Sequence, residues 1–343
     1  MTTRFNLVAI IAAIAVCCSF AGCKKVVVDG PEPESDYYTV SLGMAGDILD
    51  IEESPLSRAG EGTDLYGIQV YSAPNKDLPE GQKVTWTKYA YGLFGSNENI
   101  KINLLKGKKY KFVATMIVDG QNKVENYGLG YTFPVYILGT NNSPIEIGST
   151  FVYSGVDYMG YIESGFTALK NGSTFDRPNV ERYYGELADY IPGLHNDKAI
   201  IKMKRTSFGA KYVAQGILAT EGYLEIQMVD SPKMIVDLTT ADKTVSDIFT
   251  FDNVKKAYEN DAYTETVAVT LNWHKSDETV FPLGTHEITF KRNKMTTIKV
   301  AIETENSEGE LGVEVEDNEM TDDDEETTIK DGEIVDTEVD TNA

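Results

Sequence analysis

Cysteine is almost missing. Of 343 residues only Cys17, Cys18 and Cys23 carry a thiol, all inside the first 23 positions. The rest of the chain therefore has no disulfide, no thiolate nucleophile and no cysteine-ligated metal site. Histidine is as scarce. His195, His274 and His286 form no pair at the spacing of a helical or ribbon metal site. Trp273-His274 and Thr285-His286-Glu287 set an imidazole beside an aromatic or an acid, but no serine or cysteine in a strained elbow accompanies them. Both are read as satisfied or solvent-facing histidines. No carboxylate pair stands out for glycoside hydrolysis, whose geometry belongs to the fold. The chain is expected to be no enzyme, with no catalytic residue, no metal and no cofactor.

Positive charge is also in deficit. The formal charge is −23, but residues 301–343 hold 18 Asp and Glu against Lys330 alone, which leaves 36 acids and 30 bases, or −6, for residues 1–300. A mildly acidic body without a basic, aromatic-studded stripe lacks the phosphate-neutralising charge that nucleic-acid binding needs, so that partner is excluded. Asp322 to Glu326 lacks the sixth-position glycine and the spaced oxygens of an EF-hand loop, and reads as part of a solvated tail.

No apolar run is long. Leu7 to Val16 follows Arg4 and precedes Ser19-Phe20-Ala21-Gly22-Cys23, too short for a span of about 20 residues but right for a signal peptide's apolar region. Small residues directly before a cysteine resemble a bacterial lipobox, with Phe20 where leucine is usual. Cys23 is the expected acylation site, and several acyl chains would hold the chain on a bilayer. Lys24-Lys25 after it resemble outer-membrane sorting. Residues 26–36, with Gly30-Pro31-Glu32-Pro33-Glu34, then read as a polar tether.

From Tyr37 to Ile302 the apolar pattern has period two. Tyr38, Val40, Leu42 and Met44 alternate, and Leu65–Tyr71, Lys83–Phe94, Ile100–Leu105 and Tyr110–Val118 continue the series. Asp119-Gly120 fits a two-residue hairpin turn. Later strands are expected at 199–205, 212–218, 223–229, 234–238, 266–273, 286–291 and 296–302, with one helix near Asn253–Tyr258. The expected fold is all-β: two antiparallel β-sandwich domains with Greek-key connections and a disordered acidic tail. Domain limits are 1–22 (signal peptide), 23–36 (tether), 37–210 and 211–302 (sandwiches) and 303–343 (tail). Leu311, Val313 and Val315 alternate inside that tail, and could become ordered against a partner.

Tyrosines cluster at Tyr127, Tyr131 and Tyr136, at Tyr153, Tyr158 and Tyr161, and at Tyr183, Tyr184 and Tyr190. Flat rings stack on sugars, although tyrosine also suits any half-buried strand. Candidate glycan-stacking residues are Trp86, Tyr153, Tyr158, Tyr161, Tyr183 and Tyr184. Lys101, Lys106, Lys108, Lys109 and Lys111 read as protection of a strand edge against unwanted pairing. Arg58, in Ser54-Pro55-Leu56-Ser57-Arg58-Ala59-Gly60-Glu61-Gly62, sits in a polar connection open to proteolysis between Arg58 and Ala59.

The cysteine at 23, the strand Tyr38–Met44, the Arg58 loop, the strand Leu65–Tyr71, the strand Ile201–Arg205 ahead of Phe208-Gly209-Ala210-Lys211, and Phe290-Lys291-Arg292-Asn293-Lys294 before an alternating strand together resemble the fimbrillin-like lipoproteins of Bacteroidales-type bacteria. That resemblance covers most of residues 20–302. It implies two sandwiches of transthyretin-like topology, export as an outer-membrane lipoprotein, and cleavage after Arg58 by an arginine-specific protease that removes the first strand. The vacated groove would accept a carboxy-terminal strand from the next pilus subunit. Residues 303–343 depart from the pattern, being too acidic for an apolar groove, which favours an accessory, tip or anchor role. The expected function is a non-enzymatic, lipid-anchored, surface-exposed outer-membrane protein contributing to pilus assembly or adhesion. The alternative is a glycan-binding lipoprotein of a carbohydrate-uptake system.

Overall fold

The computed structural model describes residues 36–46, 63–123, 147–148, 150–153, 162–165, 167–168, 174–216, 219–302 and 313–320. Five strands open the fold: β1 (Tyr37–Gly46), β2 (Leu65–Pro74), β3 (Thr87–Phe94), β4 (Lys101–Leu105) and β5 (Lys108–Ile117). A one-turn helix α1 (Gly120–Lys123) follows, then the two-residue strands β6 (Thr167–Ala168) and β7 (Thr174–Phe175), then β8 (Arg182–Tyr190) and β9 (Lys198–Arg205). Strands β1 to β5, β8 and β9 make one seven-stranded sheet in the order β3-β2-β5-β8-β9-β1-β4. Alternate residues of all seven strands, among them Val40, Leu42, Ile68, Ala90, Ile102, Phe112, Tyr183 and Ile201, are buried in one core. A single sheet whose strands all feed one interior must curl over on itself, as period-two alternation allows.

The remaining strands are β10 (Ser207–Gln215), β11 (Tyr223–Met228), β12 (Met234–Asp237), β13 (Thr244–Thr250), β14 (Thr264–His274), β15 (Val280–Lys291), β16 (Lys294–Ala301) and β17 (Val313–Glu319), with helix α2 (Val254–Glu259) between β13 and β14. They form two four-stranded sheets, β13-β10-β16-β17 and β12-β11-β14-β15. The second core lies here, around Phe208, Phe249, Phe251, Trp273 and Phe290. Phe208 sits 4.5 Å from the Phe290 ring centre and 4.7 Å from that of Phe251. The Trp273 indole N–H, buried with its ring, donates to the Glu221 carbonyl at 3.0 Å, as a buried indole must.

Helix α2 lies where the sequence places it. Asn253 caps it, its side chain accepting from the Lys256 N–H at 2.9 Å. Ala257 enters the second core, while Val254 packs in a third cluster with Leu65, Leu93, Val113 and Tyr184 on the outer face of the seven-stranded sheet.

Several expectations are corrected. The sheets are mixed, not purely antiparallel: β1 runs parallel to β9 and β10 parallel to β16. Both pairs are far apart in sequence, so no tight hairpin forces antiparallel pairing. Asp119-Gly120 makes no hairpin. Asp119 does adopt positive φ, but the chain enters α1, and β5 pairs with β2 and β8 instead. The tail is not wholly unstructured, because β17 pairs antiparallel with β16, Val315 opposite Ile298 and Val313 opposite Val300. Lys291 binds Asp317, and Lys299 binds Glu316 at 2.9 Å, which offsets the acidity that argued for disorder.

Candidate functional site

Strand β1 is the feature that the sequence reading and the fold both single out. Val40, Leu42 and Met44 point into the first core and Thr39 faces out. Its pairing is split at Ser41. Residues 37–41 pair antiparallel with β4, Tyr37 opposite Leu105, and residues 41–46 pair parallel with β9, Gly46 opposite Met203. At the switch the Ser41 N–H donates to the Asp197 carbonyl and the Leu42 N–H to the Ile100 carbonyl, both at 2.8 Å. Most of β1 is thus paired along one edge only, while its side chains fill the interior. Gly46 ends the strand at φ +98°, where a Cβ would lie 2.5 Å from the Met203 carbonyl oxygen.

The end of β9 and the segment 290–294 meet at the junction of the two cores. Arg205 at the end of β9 donates from Nη1 to Asn293 Oδ1 at 2.8 Å and from Nε to the Tyr183 hydroxyl at 2.9 Å, and its Nη2 pairs with Glu181 at 2.9 Å. Arg292 returns the contact, Nη1 to the Arg205 carbonyl at 2.9 Å. Asn293, at φ 57°, occupies the turn between β15 and β16 and donates its N–H to the Ser207 carbonyl at 3.0 Å.

A cation lies deeper in the structure. Arg182 is fully buried and donates to Thr115 Oγ1 at 2.9 Å, the Ile162 carbonyl at 2.8 Å and the Ser164 carbonyl at 2.6 Å. Burial lowers its pKa to about 9. It ties residues 162–164 to the sheet and is accessible to no ligand.

Cys23, Arg58, Ala59, Tyr158 and Tyr161, like Tyr127, Tyr131 and Tyr136, lie outside the described residues. Tyr183 and Tyr184 leave the stacking set, both rings being 0% exposed. Tyr183 points into the first core and donates to Glu181 at 2.8 Å. Tyr184, on the opposite face, is covered by Tyr258 of α2 and donates to Glu186 at 2.6 Å. Burial, then the carboxylate beside each, pushes both phenols well above their usual range. Trp86 is partly covered, with Lys109 Nζ 5.7 Å from its ring centre. Tyr153 is 46% exposed. Of the four candidates among the described residues, Tyr183 and Tyr184 are buried on opposite faces of β8, so the four do not share one stacking surface.

The lysine reading needs correction too. Lys108, Lys109 and Lys111 belong to β5, a central strand. Lys109 pairs with Asp189 at 2.5 Å and Lys111 with Glu186 at 3.2 Å. Of that set only Lys101 and Lys106 border the edge strand β4. Among the described residues no group of three or more His, Cys, Asp or Glu is placed to share a metal ion, and no helix is long and apolar enough to cross a membrane.

No protein-family profile matches the chain, and no curated protein matches it. Solved structures do. A candidate cell adhesion protein from Bacteroides uniformis is 12% identical, with 84% of this chain and 100% of that chain covered, at a TM-score of 0.35. One from Bacteroides eggerthii is 10% identical over 84% and 98%, at 0.38. The tip fimbrial protein Mfa3 from Porphyromonas gingivalis, truncated at its C-terminus, is 10% identical over 82% and 99%, at 0.32. All three TM-scores lie below 0.5.

Proposed function

We propose that this chain is a non-enzymatic, lipid-anchored cell-surface protein of fimbrillin-like build, acting in pilus assembly or adhesion as an accessory, tip or anchor subunit. In this reading Cys23 carries the lipid, residues 23–36 are the tether, and cleavage after Arg58 frees β1 from the strands that follow it. The observation that supports it is the split pairing of β1. A strand that fills a core through Val40, Leu42 and Met44, yet is paired on one edge along each half, leaves behind a ready-made slot with two hydrogen-bonding edges. Such a slot suits an extended strand of another chain, with main-chain bonds supplying affinity and the alternate pockets specificity. The two sandwiches would be held as one subunit by the Arg205–Asn293 junction.

The test uses a chain that begins at Ala59 and a fluorescent peptide of the sequence Tyr37–Gly46. The peptide should bind saturably, and a peptide with Leu42→Asp and Met44→Asp should not. Equal binding of both, or of neither, rejects the slot.

A further inference from the structure

The curled sheet leaves a seam between its two end strands, β3 and β4, and the seam is closed by phenols. Among the described residues no strand pairs with β4 on the side away from β1. The Leu42 N–H to Ile100 carbonyl bond fixes the phase of the β1–β4 ladder. Ile102 and Leu104 turn their backbone groups toward β1, and Lys101, Asn103 and Leu105 turn theirs outward. Outward-facing groups of this kind are a template for another strand.

Three of them are occupied by tyrosine side chains. Tyr153 accepts from the Asn103 N–H at 2.9 Å, Tyr89 of β3 donates to the Asn103 carbonyl at 2.7 Å, and Tyr110 of β5 donates to the Leu105 carbonyl at 3.2 Å. The rings brace one another edge to face, Tyr89 lying 5.2 Å from Tyr110 and 5.6 Å from Tyr153. The segment carrying Tyr153 is itself anchored on β3, where Val152 and Tyr91 exchange backbone bonds of 2.8 and 3.1 Å. Backbone pairing therefore holds this segment to one lip of the seam, and a phenol holds it to the other.

We propose that Tyr89, Tyr110 and Tyr153 form a phenolic seal that keeps β4 from pairing with a strand of a second copy of this chain. Both backbone groups of Asn103, the middle residue of a five-residue strand, are taken, so a second copy would have to break two hydrogen bonds and displace a braced ring before gaining any. For the strand exchange proposed above, the seal confines entry to the slot of β1. That consequence rests on the earlier reading; the seal does not.

The test uses the full chain with β1 in place, so its outcome is independent of the β1 slot. Tyr89→Phe with Tyr153→Phe keeps the rings and removes the hydroxyls. In sedimentation velocity the wild type should stay monomeric as concentration rises, while the double variant should form dimers or larger species. Adding Asn103→Pro should return it to monomer, because the lost N–H faces away from β1 and proline is tolerated there. A double variant that stays monomeric, one whose association survives Asn103→Pro, or a wild type that already associates through this edge each overturns the proposal. Should the double variant fail to fold, Tyr153→Phe alone is read by hydrogen exchange. The Asn103 amide should exchange roughly 2- to 12-fold faster, the range of one net hydrogen bond, and an unchanged rate overturns the seal.

Discussion

If β1 is a separable strand, two leucine truncations should have different signatures in hydrogen exchange. Leu42, 5% exposed, lies on β1 in the first core, and Leu65, 0% exposed, lies on β2 in the third cluster on the other face of the sheet. Each Leu→Ala change removes three carbons, about 2.4 kcal/mol at 0.8 kcal/mol per methylene, and the residual cavity raises this to about 3–4 kcal/mol. That is a factor of roughly 10² to 10³ in any opening equilibrium that exposes the altered site. Leu42→Ala destabilises the native state relative to every form in which β1 is out, so it should speed exchange in both β1 and β5. Leu65→Ala should speed β5 by that factor and leave β1 within about twofold, because Leu65 stays packed when β1 alone leaves. The assay is native-state exchange on peptides covering residues 37–46 and 108–117. Equal acceleration of β1 and β5 by Leu65→Ala would mean that β1 opens only when the whole sheet unfolds, which refutes the reasoning.

Three further outcomes are expected. Burial pushes the Tyr110 phenol up to about 12 and raises Tyr89 and Tyr212 as well. An unfolded phenol loses its proton near pH 10, so this stability is full below pH 10 and is lost as pH rises through about 12. Urea midpoints should hold between pH 9 and 10 and then fall together with the rise in tyrosinate absorbance; midpoints constant to pH 12 would contradict this. Arg182→Lys should cost about 3 kcal/mol in urea unfolding, because a compact ammonium does not reproduce the planar fork whose Nε, Nη1 and Nη2 reach Thr115, Ser164 and Ile162; a loss under about 1 kcal/mol would show those acceptors re-satisfied. Glu316→Gln with Asp317→Asn should speed exchange across β17 by a few-fold, since exposed pairs contribute about 1 kcal/mol or less each, with β10 unchanged; no change would show that the lysine contacts do not hold β17.

Where apolar alternation was clean, sequence and structure agree. β1, β2, β9, β11, β14 and β16 lie within a few residues of their expected positions. β8 escapes the alternation because Gly185, Glu186 and Asp189 interrupt its pattern, and its adjacent tyrosines read as a surface cluster. Both are buried because the strand is covered on both faces, Tyr183 by the first core and Tyr184 by a helix some seventy residues away in sequence. Alternation assigns a residue to a face of its strand; it does not say what covers that face or which strand lies alongside. The parallel pairs and the meeting of Arg205 with Asn293, 88 residues apart, were invisible for that reason. The phenolic seal was hidden for another, since Tyr89, Tyr110 and Tyr153 are brought together only when the sheet curls.

The central claim, that β1 is a strand this protein gives up after export, is tested most directly by the amino terminus and mass of the protein recovered from the cells that make it. A mature chain beginning at Ala59 is the predicted result. A chain whose only amino terminus is acylated Cys23, with Arg58 uncut and β1 still attached, would contradict it.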